Sequence, residues 1–245
     1  MLGPLDRETY AWQLDLPHFD EAAQEKLRST TALVSRIGGL GGPLAFQLAA
    51  AGVGKLLLAH AGPLRKDDMN RQILMRWEDL GTPRVQSAAK TLAAFNPNVK
   101  VETADANFSA DNAAELVERA DIVFSCAPLF EERFLMNREC VRQNKPLVDA
   151  AMYAMEGHVL SVVPKKTPCL ACLYPEKPPH WRRRFPVLGV VSSLLANLAA
   201  LEGIKRITGL PESDAGKLLH FDAARTNLRK ITVNRNGDCP VCAKA

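Results

Sequence analysis

The strongest constraint on the fold is an alternation of short apolar runs with longer amphipathic stretches, which continues from Thr31 to about residue 150. This alternation is typical of parallel strands joined by crossover helices. The predicted strands are residues 32–37, 55–60, 99–103, 121–125 and 146–149. The predicted helices are residues 43–51, 83–95, 111–119 and 131–142. The pattern predicts an α/β fold with a doubly wound, Rossmann-like, mainly parallel sheet.

The segments on either side of this region follow other patterns. Residues 1–28 mix aromatic and charged residues, which predicts an N-terminal helical segment that packs on the core or on a second subunit. The C-terminal half, residues 151–245, is predicted to add antiparallel strands around a long apolar helix. The predicted elements there are a strand at 157–163, a helix at 187–207 and a hairpin at 217–222 and 228–234. We expect three parts, with the Rossmann-like core at residues 29–150.

Composition and charge limit the classes of function. With 47% hydrophobic residues among 245, the chain can bury a large core. Its net charge is only +4, which lacks the strong excess of positive charge typical of nucleic-acid-binding proteins. The basic run Arg182 to Arg184, beside Trp181, is typical of a solvated loop or of one that covers a partner's acidic tail. No apolar run is long enough to span a membrane and the N-terminus is not signal-like, so we expect a soluble, cytoplasmic protein without nucleic-acid or membrane partners.

Four of the six cysteines form two CxxC pairs, Cys169 with Cys172 and Cys239 with Cys242. Two such turns supply four thiolates, which complete a tetrahedral shell for a structural zinc ion and leave no position for a substrate. The ion would tie the late middle of the chain to its C-terminus. Two disulfides or two redox dithiols are the alternatives, although neither a secretory signal nor a thioredoxin-like context accompanies the pairs. The remaining two cysteines have apolar neighbours and are predicted core residues.

A glycine-rich turn, RIGGLGG at residues 36–42, follows the first predicted strand of the sheet and opens the next helix. In this context glycines let backbone N–H groups approach a pyrophosphate at a helix N-terminus. A dinucleotide-binding fold has glycine where this chain has Arg36, and an acidic residue where its second strand ends at His60. Two interpretations stay open, namely nucleotide binding or glycines that only allow close packing of helix and strand.

A series of segments occurs along the chain in the order GGLGGP, AAAGVGKL, NRQIL, GTPRVQSAAKTLAAFNPNVKVE, KPLVDAAMYAMEGHV, CLAC, HFDA and CPVC, with AAAGVGKL following the glycine turn. This series resembles the ThiF/MoeB/HesA family, whose fold is shared with the ubiquitin-activating enzymes. The resemblance extends from about Tyr10 to Cys242. It implies Mg·ATP-dependent adenylation of the C-terminal carboxylate of a β-grasp protein, which is a ubiquitin-like or sulfur-carrier protein.

Several positions that carry the family's chemistry are replaced here. The resemblance places the ribose-binding aspartate on His60, the metal-binding aspartate on Pro128, and the arginine contributed by the opposite subunit on Trp12. The phosphate-binding lysine falls on Arg84, which keeps the charge but changes the donor geometry. The first glycine of the phosphate loop falls on Arg36. Its guanidinium could insert into the empty phosphate site, or Arg36 and Arg71 could equally bind a different anion.

The resemblance leaves the zinc ligands and part of the nucleotide site in place. Arg71 is a retained cation of this site and Arg84 a substituted one. No catalytic residue is assigned. The candidate nucleotide-binding residues are Gly38, Gly39, Gly41, Asn70, Arg71, Gln72 and Arg84. The replacements are expected to remove several kcal/mol of transition-state stabilisation. We therefore expect a non-catalytic or strongly modified member with structural zinc, in which binding of ATP and Mg²⁺ is in question.

Two functional hypotheses follow. In the first, the protein binds a β-grasp partner or pairs with an active paralogue. In the second, it is an active adenylyltransferase for a protein tail or a small-molecule carboxylate, with Asp67, Asp68, Glu131 or Arg133 in rearranged roles. For the two aspartates, a solvated acidic turn is the simpler interpretation. The resemblance also implies a homodimer or heterodimer, with contact surfaces at residues 187–201 and at the N-terminal aromatic residues.

Overall fold

One eight-stranded sheet organises the structure, a computed structural model that describes residues 2–179, 181, 184–210 and 214–243. The strands are β1 (Thr31–Ser35), β2 (Lys55–Ala59), β3 (Lys100–Ala104), β4 (Ile122–Ser125), β5 (Leu147–Tyr153), β6 (Glu156–Val162), β7 (Lys217–Asp222) and β8 (Asn227–Thr232). Their order across the sheet is β3-β2-β1-β4-β5-β6-β7-β8. The first five in this order are parallel, and β6, β7 and β8 continue the sheet antiparallel. The predicted fold class is confirmed.

Helices connect and cover the strands. They are α1 (Pro4–Thr9), α2 (Ala11–Leu14), α3 (Glu21–Ser29), α4 (Gly41–Ala50), α5 (Arg84–Phe95), α6 (Ala113–Glu118), α7 (Phe130–Arg142), α8 (Leu170–Leu173) and α9 (Gly189–Thr208). The longest, α9, ends where Gly209 adopts a left-handed φ of 81°, a conformation that glycine reaches without a Cβ clash. In the described part of the chain, no helix combines the length and apolar character that a membrane span requires.

Two apolar layers hold the helices on opposite faces of the sheet. Alternate residues of β1 point to opposite faces. Val34 belongs to the apolar layer that includes residues of α3, α4, α5 and α9, whereas Leu33 belongs to the layer that includes residues of α6, α7 and α8. The approach of α9 to the sheet requires a glycine, because a Cβ on Gly203 would lie 2.3 Å from the ring of Phe124 in β4. Cys126 and Cys140 are buried in these two layers, as predicted for core cysteines.

The N-terminal segment is helical and packs on the core. Tyr10 is buried and its hydroxyl accepts a hydrogen bond from the Asn96 amide at 3.1 Å. Its neighbour Trp12 is 90% exposed. Phe19 is also buried in the core, so the segment is anchored through two aromatic residues and leaves Trp12 on the surface.

The largest difference from the sequence-based boundaries is the length of β5, which continues to Tyr153 rather than ending at residue 149. Antiparallel pairing with β6 extends β5, because its residues continue to pair with β6 as far as Tyr153, which lies opposite Glu156. The proposed division at residue 150 falls inside this strand, and the three-part organisation stays a prediction. Since β1 and β4 are neighbours, their carboxyl ends form the switch point at which doubly wound sheets bind ligands.

Candidate functional site

A cavity of about 790 Å³ lies at the carboxyl ends of the central parallel strands. Its wall includes the residue that follows each of three strands, namely Arg36 after β1, His60 after β2 and Cys126 after β4. Other lining residues are Gly38, Gly39, Asn70, Arg71, Gln72, Arg84, Pro128 and Trp181. The cavity therefore brings together residues that are far apart in sequence, at the place where the topology predicts a ligand.

The glycine turn forms one wall of the cavity. The N–H of Gly38 donates to the carbonyl oxygen of Arg36 at 2.6 Å, and the N–H of Gly42 donates to that of Gly38 at 2.8 Å. A Cβ on Gly41 would lie 2.4 Å from the Arg36 carbonyl oxygen, so the turn requires glycine there. Gly41 thus shapes the turn, whereas Gly38 and Gly39 face the cavity.

Arg36 turns its side chain into the wall rather than into solvent. Its backbone is left-handed, with φ of 59°, and its side chain is 10% exposed. The Nε donates to Oε2 of Glu132 at 2.8 Å and the Nη2 donates to Oε1, so the pair is bidentate. The guanidinium is held by a carboxylate of α7, and its entry into the phosphate site stays a prediction.

Asp68 is a buried hub, so the interpretation of both aspartates as a solvated turn is wrong for this residue. Arg84 donates to its Oδ2 through Nη2 at 2.6 Å and through Nε at 3.1 Å. Gln72 donates to its Oδ1 at 2.7 Å, and the backbone N–H of Arg65 donates to its Oδ2 at 3.1 Å. Asp67 has a side chain that is 68% exposed, as predicted for the turn. A short 3-10 turn, Lys66–Asp68, directs the two neighbours in different directions.

Arg71 and Arg84 both contact the Asp68 carboxylate, and the contact of Arg71 is the longer one. The Nη1 of Arg71 donates to the carbonyl oxygen of Asp67 at 2.6 Å and to Oδ1 of Asn70 at 2.8 Å. Its Nη2 lies 3.5 Å from Oδ1 of Asp68. The two short bonds fix the guanidinium at the cavity wall, while the longer contact leaves donor capacity for a ligand.

Aromatic side chains close the other end of the cavity, next to the loop that follows β4. The indole Nε1 of Trp181 donates to the carbonyl oxygen of Pro128 at 2.6 Å. The indole ring also packs against Phe130 and Phe185, with centroids 5.3 and 5.7 Å away. His180, Arg182 and Arg183 lie outside the described residues, so the predicted basic run is placed only through Arg184, which also lines the cavity.

A buried ionic network lies behind this end of the cavity. Arg133 donates to both carboxylate oxygens of Asp149, at 3.0 and 2.5 Å, and both side chains are almost fully buried. Burial opposes ionisation of Asp149, but the guanidinium outweighs it and holds the pKa of this carboxyl below its ordinary value. Burial and the same guanidinium lower the pKa of His158 to about 4. Arg133 therefore supports β5 and β6 and does not line the cavity.

Cys126 faces the cavity as a buried thiol. Burial, with Asp149 as a secondary cause, raises the pKa of this thiol. The shift favours the neutral thiol, whereas a nucleophilic cysteine requires a lowered pKa.

The four cysteines of the CxxC pairs converge as predicted. Their sulfur atoms all lie within 4.8 Å of one another. The Sγ atoms of Cys169 and Cys239 are 3.7 Å apart, and those of Cys172 and Cys242 are 3.4 Å apart. Tetrahedral Zn–S bonds of about 2.3 Å place sulfur atoms about 3.8 Å apart, so the cluster fits a metal such as zinc. All four are free thiols, which excludes disulfides in this structure.

The cavity gathers most of the residues singled out in the sequence but not all of them. Trp12 lies on the N-terminal surface, outside the cavity wall. Glu131 pairs with Lys177 at the surface at 2.5 Å. Sequence analysis did not identify Glu132 as a residue of the site. The only sequence feature that could have pointed to it is its position in the first turn of a predicted helix, one turn after Pro128. The pairing of Glu132 with Arg36 spans 96 residues and depends on the neighbouring positions of β1 and β4.

The sequence matches the ThiF family over residues 10–241, and the chain therefore belongs to this family. It is 48% identical over 241 residues to Protein HesA, heterocyst, of Trichormus variabilis, covering 98% of this chain and 90% of that protein. It is 35% identical to the sulfur carrier protein adenylyltransferase of Thermus thermophilus, covering 97% and 90% of the two chains. It is 33% identical to the sulfur carrier protein ThiS adenylyltransferase of Escherichia coli, covering 95% and 94%.

The fold is also that of a solved structure, E. coli MccB. The TM-score is 0.86 at 22% identity, and the match covers 96% of this chain and 74% of MccB. At this identity the likeness concerns the fold alone.

Proposed function

We propose that this protein is a strongly modified ThiF-family member that binds a β-grasp protein, alone or paired with an active paralogue, and does not adenylate it with Mg·ATP. The observation that carries the proposal is the loop after β4. There Pro128 offers only a carbonyl oxygen, already bonded to Trp181, at the position where the family resemblance implies a metal-binding carboxylate. A carboxylate is the ligand through which proteins hold Mg²⁺ beside phosphates.

The partner class is supported by the relatives. The Thermus thermophilus and E. coli relatives are adenylyltransferases of sulfur carrier proteins. Because this chain covers 90% or more of both, it has the length to present the same surfaces. We therefore propose a ubiquitin-like or sulfur-carrier protein as its partner.

We further propose that the protein forms a dimer through α9 and the N-terminal segment. Val190, Leu194 and Leu201 are between 42% and 61% exposed, and the indole of Trp12 is almost entirely exposed. Apolar side chains of this size on a surface helix are typical of a protein contact surface. Whether the second subunit is an identical chain or a paralogue follows from the composition of the purified complex.

The second candidate function is an active adenylyltransferase. The observation that favours it is that the retained Gly38, Gly39 and Arg71 face one cavity together with Arg84, the substitute for the family's lysine. Arginines and glycine N–H groups are the donors that neutralise phosphate charge in such a reaction. The two candidates differ in whether ATP is cleaved.

The test is ATP–pyrophosphate exchange by the zinc-loaded protein with Mg·ATP and each sulfur-carrier protein encoded in the same genome. The Thermus thermophilus relative with its own carrier is the positive control. We expect one carrier to bind, as measured by calorimetry, without exchange above the enzyme-free background. Exchange in the presence of a carrier would overturn the proposal and establish the second candidate. Failure of every carrier to bind would remove the partner assignment.

A further inference from the structure

The positive charge of the cavity comes from arginines. The five that line it are Arg36, Arg65, Arg71, Arg84 and Arg184. The described lining holds two carboxylates, Asp67 and Asp68, and Glu132 pairs with one of the arginines from α7. Among the described residues, the cations exceed these carboxylates by two, so the cavity attracts an anion.

The carboxylates near the cavity are committed to protein donors. Asp68 accepts from the three side chains and the backbone N–H described above, and both oxygens of Glu132 accept from a guanidinium. Asp67 is exposed and pairs with Arg65 at 2.9 Å. Beside phosphates, Mg²⁺ is held by one or two carboxylates together with phosphate oxygens and water. Of the described carboxylates that line the cavity, only Asp67 is exposed, and it is already paired with Arg65. The lining therefore fits Mg²⁺ poorly.

We propose that the cavity binds a linear chain of phosphates, as in a nucleoside triphosphate, in its metal-free form, with guanidinium groups in place of the divalent ion. The inference rests on the proposed function, because it concerns how the modified site works. Arg71 is the principal donor, since two short bonds orient its guanidinium and its side chain is 24% exposed. A guanidinium fork matches phosphate oxygens in a bidentate manner. Gly38 and Gly39 let the backbone approach the same ligand.

Whether added Mg²⁺ lowers or raises the affinity for ATP distinguishes an arginine site from a metal site. Mg²⁺ and the guanidinium groups compete for the same phosphate oxygens, and Mg²⁺ also reduces the charge of the ligand. Affinity at an arginine site therefore falls when Mg²⁺ is added. Affinity at a site with a metal ligand rises.

The experiment is calorimetric titration of the zinc-loaded full chain with ATP in buffer free of divalent ions, and again with excess Mg²⁺. We expect the dissociation constant to rise on the order of tenfold when Mg²⁺ is added. Tripolyphosphate serves as a second titrant, and its binding under the same conditions assigns recognition to the phosphates. Tighter binding of ATP with Mg²⁺, or no binding of either titrant without it, would overturn the inference. ATP–pyrophosphate exchange, which reports the proposed function, is a separate measurement.

Matched variants test whether Arg71 is the principal donor to the phosphates. Arg71→Gln is expected to weaken metal-free ATP binding roughly tenfold, because a charged hydrogen bond is lost. Arg71→Lys keeps the charge without the fork and gives a smaller loss. Arg119→Gln removes the same charge from an exposed pair with Glu102, outside the cavity, and should leave binding unchanged. Asp67→Asn should not weaken binding in Mg²⁺, and a loss there would make Asp67 a metal ligand and contradict the inference. Thermal unfolding of each variant verifies that it is folded.

Discussion

Arg36 and Glu132 form a bidentate ion pair that joins the end of β1 to the first turn of α7. Both side chains are about nine-tenths buried, and the Arg36 backbone is left-handed. A non-glycine residue in that conformation costs on the order of 1 kcal/mol. The pair therefore holds a strained residue in the wall of the cavity, where the family resemblance expects a glycine.

Removal of one partner should destabilise the fold. Glu132→Gln leaves the Arg36 guanidinium buried without its carboxylate, and we expect the free energy of unfolding to fall by about 3–5 kcal/mol in urea titration. Glu131→Gln is the matched control, because Glu131 makes an exposed pair with Lys177 and should change stability by less than about 1 kcal/mol. The double variant Arg36→Gly/Glu132→Gln removes both charges and the backbone strain, and should recover most of the loss. If the double variant is as unstable as the sum of its parts, the two residues do not act as a pair.

Metal at the cysteine cluster should be structural. We expect atomic absorption to find one zinc per chain, and removal by a chelator to lower Tm by at least about 10 °C, because the ion links α8 to the C-terminus. Cys242→Ser should lose the zinc. Cys140→Ala, which alters a fully buried cysteine of the core, should keep it. Full zinc content in Cys242→Ser would contradict the assignment.

Stability should decrease in mild acid because of His158. The pKa of the folded histidine is about 4, below the value near 6.5 of an exposed histidine, since burial and Arg133 disfavour the charged form. Between pH 6.5 and 4 the unfolded chain binds a proton that the folded chain excludes. The free energy of unfolding therefore falls as the pH falls through this window, by up to about 3 kcal/mol.

The measurement for His158 is urea unfolding at several pH values. His158→Gln keeps an acceptor for the Arg133 Nη2, which lies 3.2 Å from the histidine Nε2, but does not titrate. Its stability should decrease less steeply between pH 6.5 and 4 than that of the natural chain. Because all other titrating groups are shared, equal slopes would show that His158 does not carry the effect.

The exposed face of α9 should mediate the proposed dimer. Leu194→Lys is expected to shift the protein from dimer to monomer in sedimentation velocity, because it places a charge in an apolar contact. Leu228→Lys is the matched control, since Leu228 on β8 is 44% exposed and Leu194 is 42% exposed. A dimer that resists the first change but not the second would place the contact surface at the C-terminal hairpin.

The sequence by itself determined the fold class, the order of strands and helices along the chain, and the cysteine cluster. These features depend on the periodicity of apolar residues and on the spacing of nearby cysteines, both of which can be read from short stretches of sequence. Short apolar runs between amphipathic stretches predicted the strands of the parallel sheet, and two CxxC turns predicted the convergence of four thiols. Where β5 ends was not predicted, since its last residues are held by pairing with β6 rather than by their own pattern.

Only the tertiary structure decided the partners of the charged side chains. Asp67 and Asp68 are neighbours with the same chemistry, yet one is solvated and the other is buried among two arginines and a glutamine. Arg36 meets Glu132 because β1 and β4 are adjacent in the sheet. Hydrogen bonds and ion pairs act over a few ångströms in space, and the distance along the chain carries no information about them until the sheet order is known.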